Sequence, residues 1–409
     1  MKLKASFVAI CLLFVFCLTL HAQERKFFPL GHLEMLGGFS DVNDGEELWG
    51  GDVFGYFSPT YKFDDSLFLI PLYTVEYKRS IQFINQDEGI QLNSEYMTHN
   101  ANLALRKEYE KDWFIKGSAF GTWNYVKETK DESWTKGLYD YRDVGCSFDL
   151  SHKNKSSYYK DNYSIGFEYY RRMYPNFVSL ASIGMPSAPE KNEKDFDAFK
   201  LGVGLNRITS TGTQLYLKPY YLFKRFIDKH TVNDDGTYEL SQMRKDQIIN
   251  LDYGFRLPLN EEFSVGMDNN YLYNFSNLGY YDSMSTLLPN DDVFTHKYYS
   301  YHSASALPYV EYIHSLEEEK DVRLKLLYSY LFRYYPERKA QGPMGDYTSQ
   351  DEQDFEHILS SSFAWPLTKN LDFLIRYSYT WARSNQKYEQ FYRYKYDTYE
   401  IQTGISLDF

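Results

Sequence analysis

From Tyr399 to Phe409 the sequence alternates strictly in twos. Tyr399, Ile401, Thr403, Ile405, Leu407 and Phe409 fall on one side of an extended chain, and Glu400, Gln402, Gly404, Ser406 and Asp408 on the other. Successive side chains of a strand point to opposite faces, so the segment reads as a β-strand with one apolar and one polar surface. Its length is about what a tilted strand needs to cross a bilayer core. Phe409 is the last residue, and nothing after it covers the apolar side.

The same pattern recurs in pairs along the chain. Val53, Gly55, Phe57, Pro59 and Tyr61 turn at Asp64–Ser66 into Leu67, Leu69, Pro71, Tyr73, Val75 and Tyr77. Leu103 and Leu105 turn into Ile115, Gly117 and Ala119; Val144, Cys146, Phe148 and Leu150 into Tyr163, Ile165, Phe167 and Tyr169. Phe199 to Leu205 turns at Ser210–Gly212 into Leu215 to Tyr221, and Ile249 to Phe255 turns at Pro258–Asn260 into Phe263 to Met267. Ala306 to Tyr312 turns into Val322 to Phe332, and Phe363 and Trp365 turn into Phe373 to Trp381. Short turns between amphipathic strands make hairpins. Between the hairpins lie longer charged connections, 85–93, 127–137, 176–194, 227–244, 276–300, 337–353 and 383–395. With Leu30 to Phe39 as the first strand, blurred by Glu34 and Gly37–Gly38, the count is sixteen; without that strand and one neighbour it is fourteen. A weak repeat runs through the pattern: Tyr169 to Pro175 parallels Tyr330 to Pro336, and Asp195–Asp197 parallels Asp354–Glu356.

The first residues read as a leader. Lys2 and Lys4 precede an apolar run from Phe7 to Leu20, too short for a spanning helix, and Ala22 offers a small residue for cleavage before Gln23. Cys11 and Cys17 follow Ile10 and Phe16 rather than the small residue of a lipoprotein signal. Residues 1–22 are thus expected to be a signal peptide and 23–409 one domain. The mature chain keeps only Cys146, so no internal disulfide staples it. A net charge of −12 excludes nucleic acid as a partner. The 41 Tyr and 30 Phe suit strands, and above all the aromatic girdles of a membrane barrel. A soluble sandwich or propeller is the competing architecture.

The alternating final strand with its terminal Phe409, the hairpin series and the asymmetry of short and long connections resemble the porin-like superfamily of Gram-negative outer-membrane β-barrels. The resemblance covers the whole mature chain and implies an all-β, transmembrane, antiparallel up-and-down β-barrel of about sixteen strands, with fourteen as the alternative. It makes Tyr399, Ile401, Ile405, Leu407 and Phe409 the assembly signal. It also implies lipid and the barrel-assembly machinery as partners, with short turns and both termini periplasmic and long loops extracellular.

No nucleotide, hydrolase or metal-binding motif is present, and no cofactor or metal is expected. A rim enzyme would have to draw on Asp291, Asp292, His296 and His302–Ser303, which spacing alone does not bring together. Alternation places Arg106, Lys116, Arg142, Asp149, Glu168, Arg172, Lys200, Lys218, Asp252, Arg256, Asp268, Arg323, Lys325, Arg333, Arg376 and Glu400 inside, because Arg or Lys on the lipid side at mid-depth costs about 2–4 kcal/mol. Lys200, Arg256, Arg323, Lys325, Arg333 and Arg376 are the expected pore lining, with the last four making a basic wall. The longest connection, carrying Tyr280, Tyr281, Asp282, Asp291 and Asp292, is the expected constriction loop, setting an acidic edge against that wall. The function so implied is passive diffusion of small polar solutes, not enzymatic. A structural or adhesive barrel with a closed lumen is the alternative. Only about ten residues lie between Gln23 and the first strand, which disfavours a plugged, energy-coupled transporter.

Overall fold

A computed structural model describes residues 26–42, 46–80, 84–86, 89–91, 94–127, 132–156, 158–177, 192–282, 293–317, 320–388 and 394–409. The expected leader lies outside the described residues. Sixteen strands form one closed antiparallel barrel. They are β1 (Phe27–Val42), β2 (Glu46–Lys62), β3 (Leu67–Ser80), β4 (Ser94–Tyr109), β5 (Trp113–Lys127), β6 (Tyr141–Lys155), β7 (Tyr159–Met173) and β8 (Phe196–Thr209). They continue as β9 (Gln214–Val232), β10 (Tyr238–Pro258), β11 (Phe263–Ser276), β12 (Tyr301–Glu317), β13 (Lys320–Gln341), β14 (Tyr347–Pro366), β15 (Leu371–Ser384) and β16 (Tyr396–Asp408). Each strand pairs with its sequence neighbours, and β1 pairs with β16 to close the ring. The blurred first strand is therefore real, and the count is sixteen.

The register carries one parity around the whole ring. On β4 to β9, Leu105 faces Gly117, Phe148 faces Phe167, Phe167 faces Leu201 and Leu201 faces Tyr221, all on the outside. Leu103, Val144, Ile165, Val203, Ile249 and Leu326 stand exposed there, as only a lipid-facing surface tolerates. One ion-paired cluster marks each edge of this belt on β7 and β8. Arg207 donates to Asp161 at 2.8 Å from both Nε and Nη2, and Arg171 does the same to Asp197. From Asp161 to Arg171 is ten residues, about 33 Å of strand and about 25 Å across a membrane at the usual tilt.

Every connection at one rim is short, and all the longer connections lie at the other. Two of the expected long loops are mostly strand: β9 and β10 extend to Val232 and Tyr238, and β13 and β14 to Gln341 and Tyr347. Their tips are tight turns with Gly236 and Gly345 at φ of +81° and +86°, the left-handed geometry that glycine adopts without strain. The flanking residues are polar on both faces, so no apolar alternation announced these strands. The two halves of the weak repeat lie on paired strands in both places, Arg171 opposite Asp197 and Arg333 opposite Asp354.

The seam is held by main chain and by close approach. Gly31 and Phe409 exchange N–H···O bonds of 2.8 and 3.0 Å. A Cβ on Gly404 would run into the Met35 carbonyl oxygen, and one on Gly38 into that of Ile401. Gly38, one of the pair that obscures the pattern of β1, and Gly404 let the last strand meet the first. Gly404→Ala and Phe409→Asp are each expected to lower the heat-modifiable, folded fraction after refolding into detergent or lipid. Normal yields from both variants would mean that the seam does not limit assembly.

Candidate functional site

The parity that sends apolar side chains outward sends polar ones into the lumen. On β3 to β5, Thr122 donates to Asn100 (2.7 Å), Asn100 to Thr74 (3.0 Å) and Thr98 to Asn124 (2.6 Å). Ser118 and Ser147 follow at 2.7 Å. On β7 and β8 the inward positions Gly166, Gly202 and Gly204 carry no side chain and hollow the wall. The result is a recess of about 690 Å³ lined by Lys116, Asp149, Glu168, Lys200, Lys218 and Asp252, with Phe120 and Tyr220 among its aromatic surfaces. Lys116 lies 3.4 Å from Asp149, Lys200 sits across from Glu168, and Lys218 across from Asp252. A smaller recess of about 280 Å³ on β13 to β16 is lined by Lys325, Ser360, Ser362, Arg376, Ser378, Glu400 and Gln402.

The six expected lining residues do not make an uncompensated basic wall. Arg376 donates to Glu34 at 2.7 Å, Arg256 to Glu311 at 2.7 Å, and Arg323 to Asp372. Lys200 lies over the Tyr220 ring at 4.5 Å and Lys325 over Tyr309 at 4.3 Å. Arg333 is buried near the long-connection end, over Tyr301 at 5.0 Å. Cations in a confined space recruit carboxylates or ring faces from adjacent strands, and those partners are distant in sequence. Arg142 is a second correction. It shares the parity of Val144 and Phe148, so it stands outside, exposed at the rim.

The constriction-loop residues also sit elsewhere. Tyr280–Asp282 pairs with Val293–Thr295 in a small ribbon. Tyr347 donates to Asp282 at 2.6 Å, Tyr281 lies against Gly236, and Tyr280 packs on Tyr298 with ring centres 4.6 Å apart. The ribbon is thus built into the long-connection rim. Arg323 pairs with Ile313, twelve residues along β12 from Tyr301, or about 40 Å of strand. Tyr280–Asp282 thus lie at the end of the barrel opposite Arg323, while Arg333, across from Ser303, stands at the ribbon's end. Asp291 and Asp292 lie outside the described residues. His302 faces outward onto Tyr273, stacked at 4.4 Å, whereas Ser303 faces inward beside Arg333. The two cannot serve one catalytic centre.

What sequence reading missed is the set of buried arginines near the long-connection end. Arg172 lies over Tyr141 at 3.8 Å and grips Asp143 through two 2.8 Å bonds. Arg244 lies against Phe226 (4.3 Å) and Tyr299 (4.6 Å) and is 2.9 Å from Asp246. Arg338 lies against Tyr298 (4.0 Å) and Tyr335 (4.1 Å) and donates to Glu352 at 3.3 Å. Arg244, Asp246 and Glu352 are each 1% exposed or less, against open recesses nearer the other end. The Arg172 and Arg333 halves of the repeat were the only visible signal.

A closed sixteen-stranded barrel with an apolar outer belt and a polar lumen is an outer-membrane β-barrel. No protein family matches the sequence, and no curated protein does. Among solved structures the chain is similar to OmpT, an outer membrane protein of Vibrio cholerae, at 10% identity, covering 94% of this chain and 99% of that one, TM-score 0.45. It is similar to OccK8 (OprE) of Pseudomonas aeruginosa at 10% identity, 93% and 98% coverage and TM-score 0.43. For the toluene transporter TodX of P. putida the values are 12%, 96%, 92% and 0.34. The assignment to the class rests on this chain's own strand pairing.

Glu352 lies beyond the apolar belt, where burial pushes its carboxyl well above the ordinary range, against the field of Arg338 and with that of Asp354. A raised carboxyl binds its proton more tightly folded than unfolded, so stability falls as pH rises from the unfolded value near 4.5. Protection of the β13–β14 tip amides, taken relative to the intrinsic exchange rate at each pH, is expected to be greater at pH 5 than at pH 8. Glu352→Gln should flatten that difference.

Proposed function

We propose that this protein is an outer-membrane channel for passive diffusion of small polar solutes, with the long-connection rim extracellular. The observation that supports it is the lumenal wall of β3 to β10, where hydroxyls, amides and both signs of charge surround an open recess. Sixteen strands enclose enough space for an aqueous path. An interior meant only to be filled would instead be packed throughout, as it is around Phe196, Ala198, Leu222, Phe226 and Ile248. Interleaved Lys116, Asp149, Glu168, Lys200, Lys218 and Asp252 give little net field, so neutral and zwitterionic solutes are favoured over simple ions.

A second reading has its own support. The buried arginine–carboxylate–tyrosine groups near the long-connection end suit a barrel whose lumen is closed there.

Planar-bilayer recording separates the two. The channel reading expects stepwise conductance with a reversal potential near zero in a salt gradient. Lys200→Glu with Lys218→Glu should move that potential away from zero, raising the cation-to-anion permeability ratio severalfold. Silence at all voltages from protein shown to be inserted would favour the closed barrel.

A further inference from the structure

We infer that the outer wall of β9 and β10 carries a binding site for the phosphorylated headgroup of a membrane lipid. Arg225 and Lys245 are direct cross-strand partners, both outward and both exposed. Like charges directly opposite one another on a sheet repel and cost stability. Yet neither side chain makes an ion pair among the described residues.

Four other outward cations of this rim are compensated by the protein. Arg79 lies 3.0 Å and Lys127 3.7 Å from Glu95, Arg171 lies 2.8 Å from Asp197, and Arg383 lies 2.6 Å from Asp397. The acids nearest Arg225 and Lys245 are already engaged. Both oxygens of Asp197 are taken by Arg171, with Tyr169 sharing one of them. Asp195 accepts the Tyr174 N–H, Asp228 faces Asn192, and Glu193 binds Lys229. Asp197 stands directly across from Arg225 and feels its charge. It is shared with Arg171, however, so three outward cations have this one acid among them, and an anion from outside the chain would complete the compensation.

Height identifies its source. Arg225 is ten residues along β9 from Leu215, and the outward residues between are Leu217, Pro219, Tyr221 and Phe223. Ten tilted residues span about 25 Å, the apolar depth of an outer-membrane barrel. The pair thus stands where acyl chain gives way to headgroup, with Tyr221 directed to Gln247 at 3.2 Å just below it. Arg142, exposed on β6 at the same rim, lies three strands from Arg225 and extends the positive band sideways. A phosphate monoester on a large headgroup would take charge-assisted bonds from Arg225 and Lys245 while its acyl chains lie along the belt. Under the orientation proposed above, this is the outer leaflet.

The test uses the refolded full-length barrel and native mass spectrometry after detergent exchange. The probes are diphosphorylated lipid A, the same lipid with its phosphates removed, and inorganic phosphate as competitor. Wild-type protein is expected to retain the phosphorylated lipid. Arg225→Gln with Lys245→Gln should retain it on the order of thirtyfold less, taking the usual surface contribution of each basic residue. Heat-modifiable mobility and circular dichroism of the variant report that the barrel is intact, and each single variant should fall between. Equal retention by wild type and the intact double variant would overturn the assignment. Equal retention of the dephosphorylated lipid would overturn it too, because the phosphorylated headgroup would not be what is held. Displacement by millimolar inorganic phosphate would overturn it by making the site one for free phosphate rather than for a lipid.

Discussion

Everything in this fold depends on backbone hydrogen bonding in a medium that offers none. Inside hydrocarbon an unpaired N–H or C=O costs several kcal/mol, so a sheet in a membrane must have no edge. The seam between β1 and β16 satisfies that requirement, running from His32 opposite Asp408 to Val42 opposite Thr398. Its glycines fit the same demand, since Gly38 and Gly404 lie where a carbonyl of the facing strand leaves no room for a side chain.

Closure has a consequence for every side chain. Once the register is continuous, each residue is addressed by parity, and the two addresses have opposite solvents. Outside, apolar side chains are left exposed by design and charges retreat to the edges, as the Arg171–Asp197 and Arg207–Asp161 clusters do. Inside, there is no pressure to be apolar, but there is pressure to be compensated. The lumenal arginines answer it with carboxylates on neighbouring strands, and the lysines answer it partly with tyrosine faces. The lumen is therefore chemically mixed, with neither sign of charge dominating its wall.

The two ends of the lumen differ for a related reason. Toward the long-connection end the hairpins extend past the belt, and their inward side chains meet those of the rim ribbon. Arginine then serves as a packing residue, its planar group covered by tyrosine or phenylalanine and its charge held by a buried acid. Toward the short-turn end the strands stop at tight turns and nothing among the described residues covers the wall, so the recesses are open.

Sequence alone determined the period, the hairpin series and the side of the wall on which most residues lie. These follow from local alternation, and a strand such as Tyr399 to Phe409 shows its two faces without reference to any other part of the chain. The choice of sixteen strands over fourteen came with the pairing of β1. Where alternation was absent, reading failed. The tips of β9–β10 and β13–β14 are polar on both faces and passed for loops, although Asn233–Gly236 and Gly342–Gly345 carried the turn residues. Arg142 was set inside against the parity of its own strand. Only the tertiary structure decided which charge meets which. Arg376 and Glu34 are brought together by the closing seam, Arg256 and Glu311 by two intervening ladders, and Arg225 and Lys245 by a hairpin register that sets two cations opposite one another. A one-dimensional pattern fixes a residue's face because that depends on its immediate neighbours. Its partner depends on strand order, stagger and closure, which are properties of the whole ring.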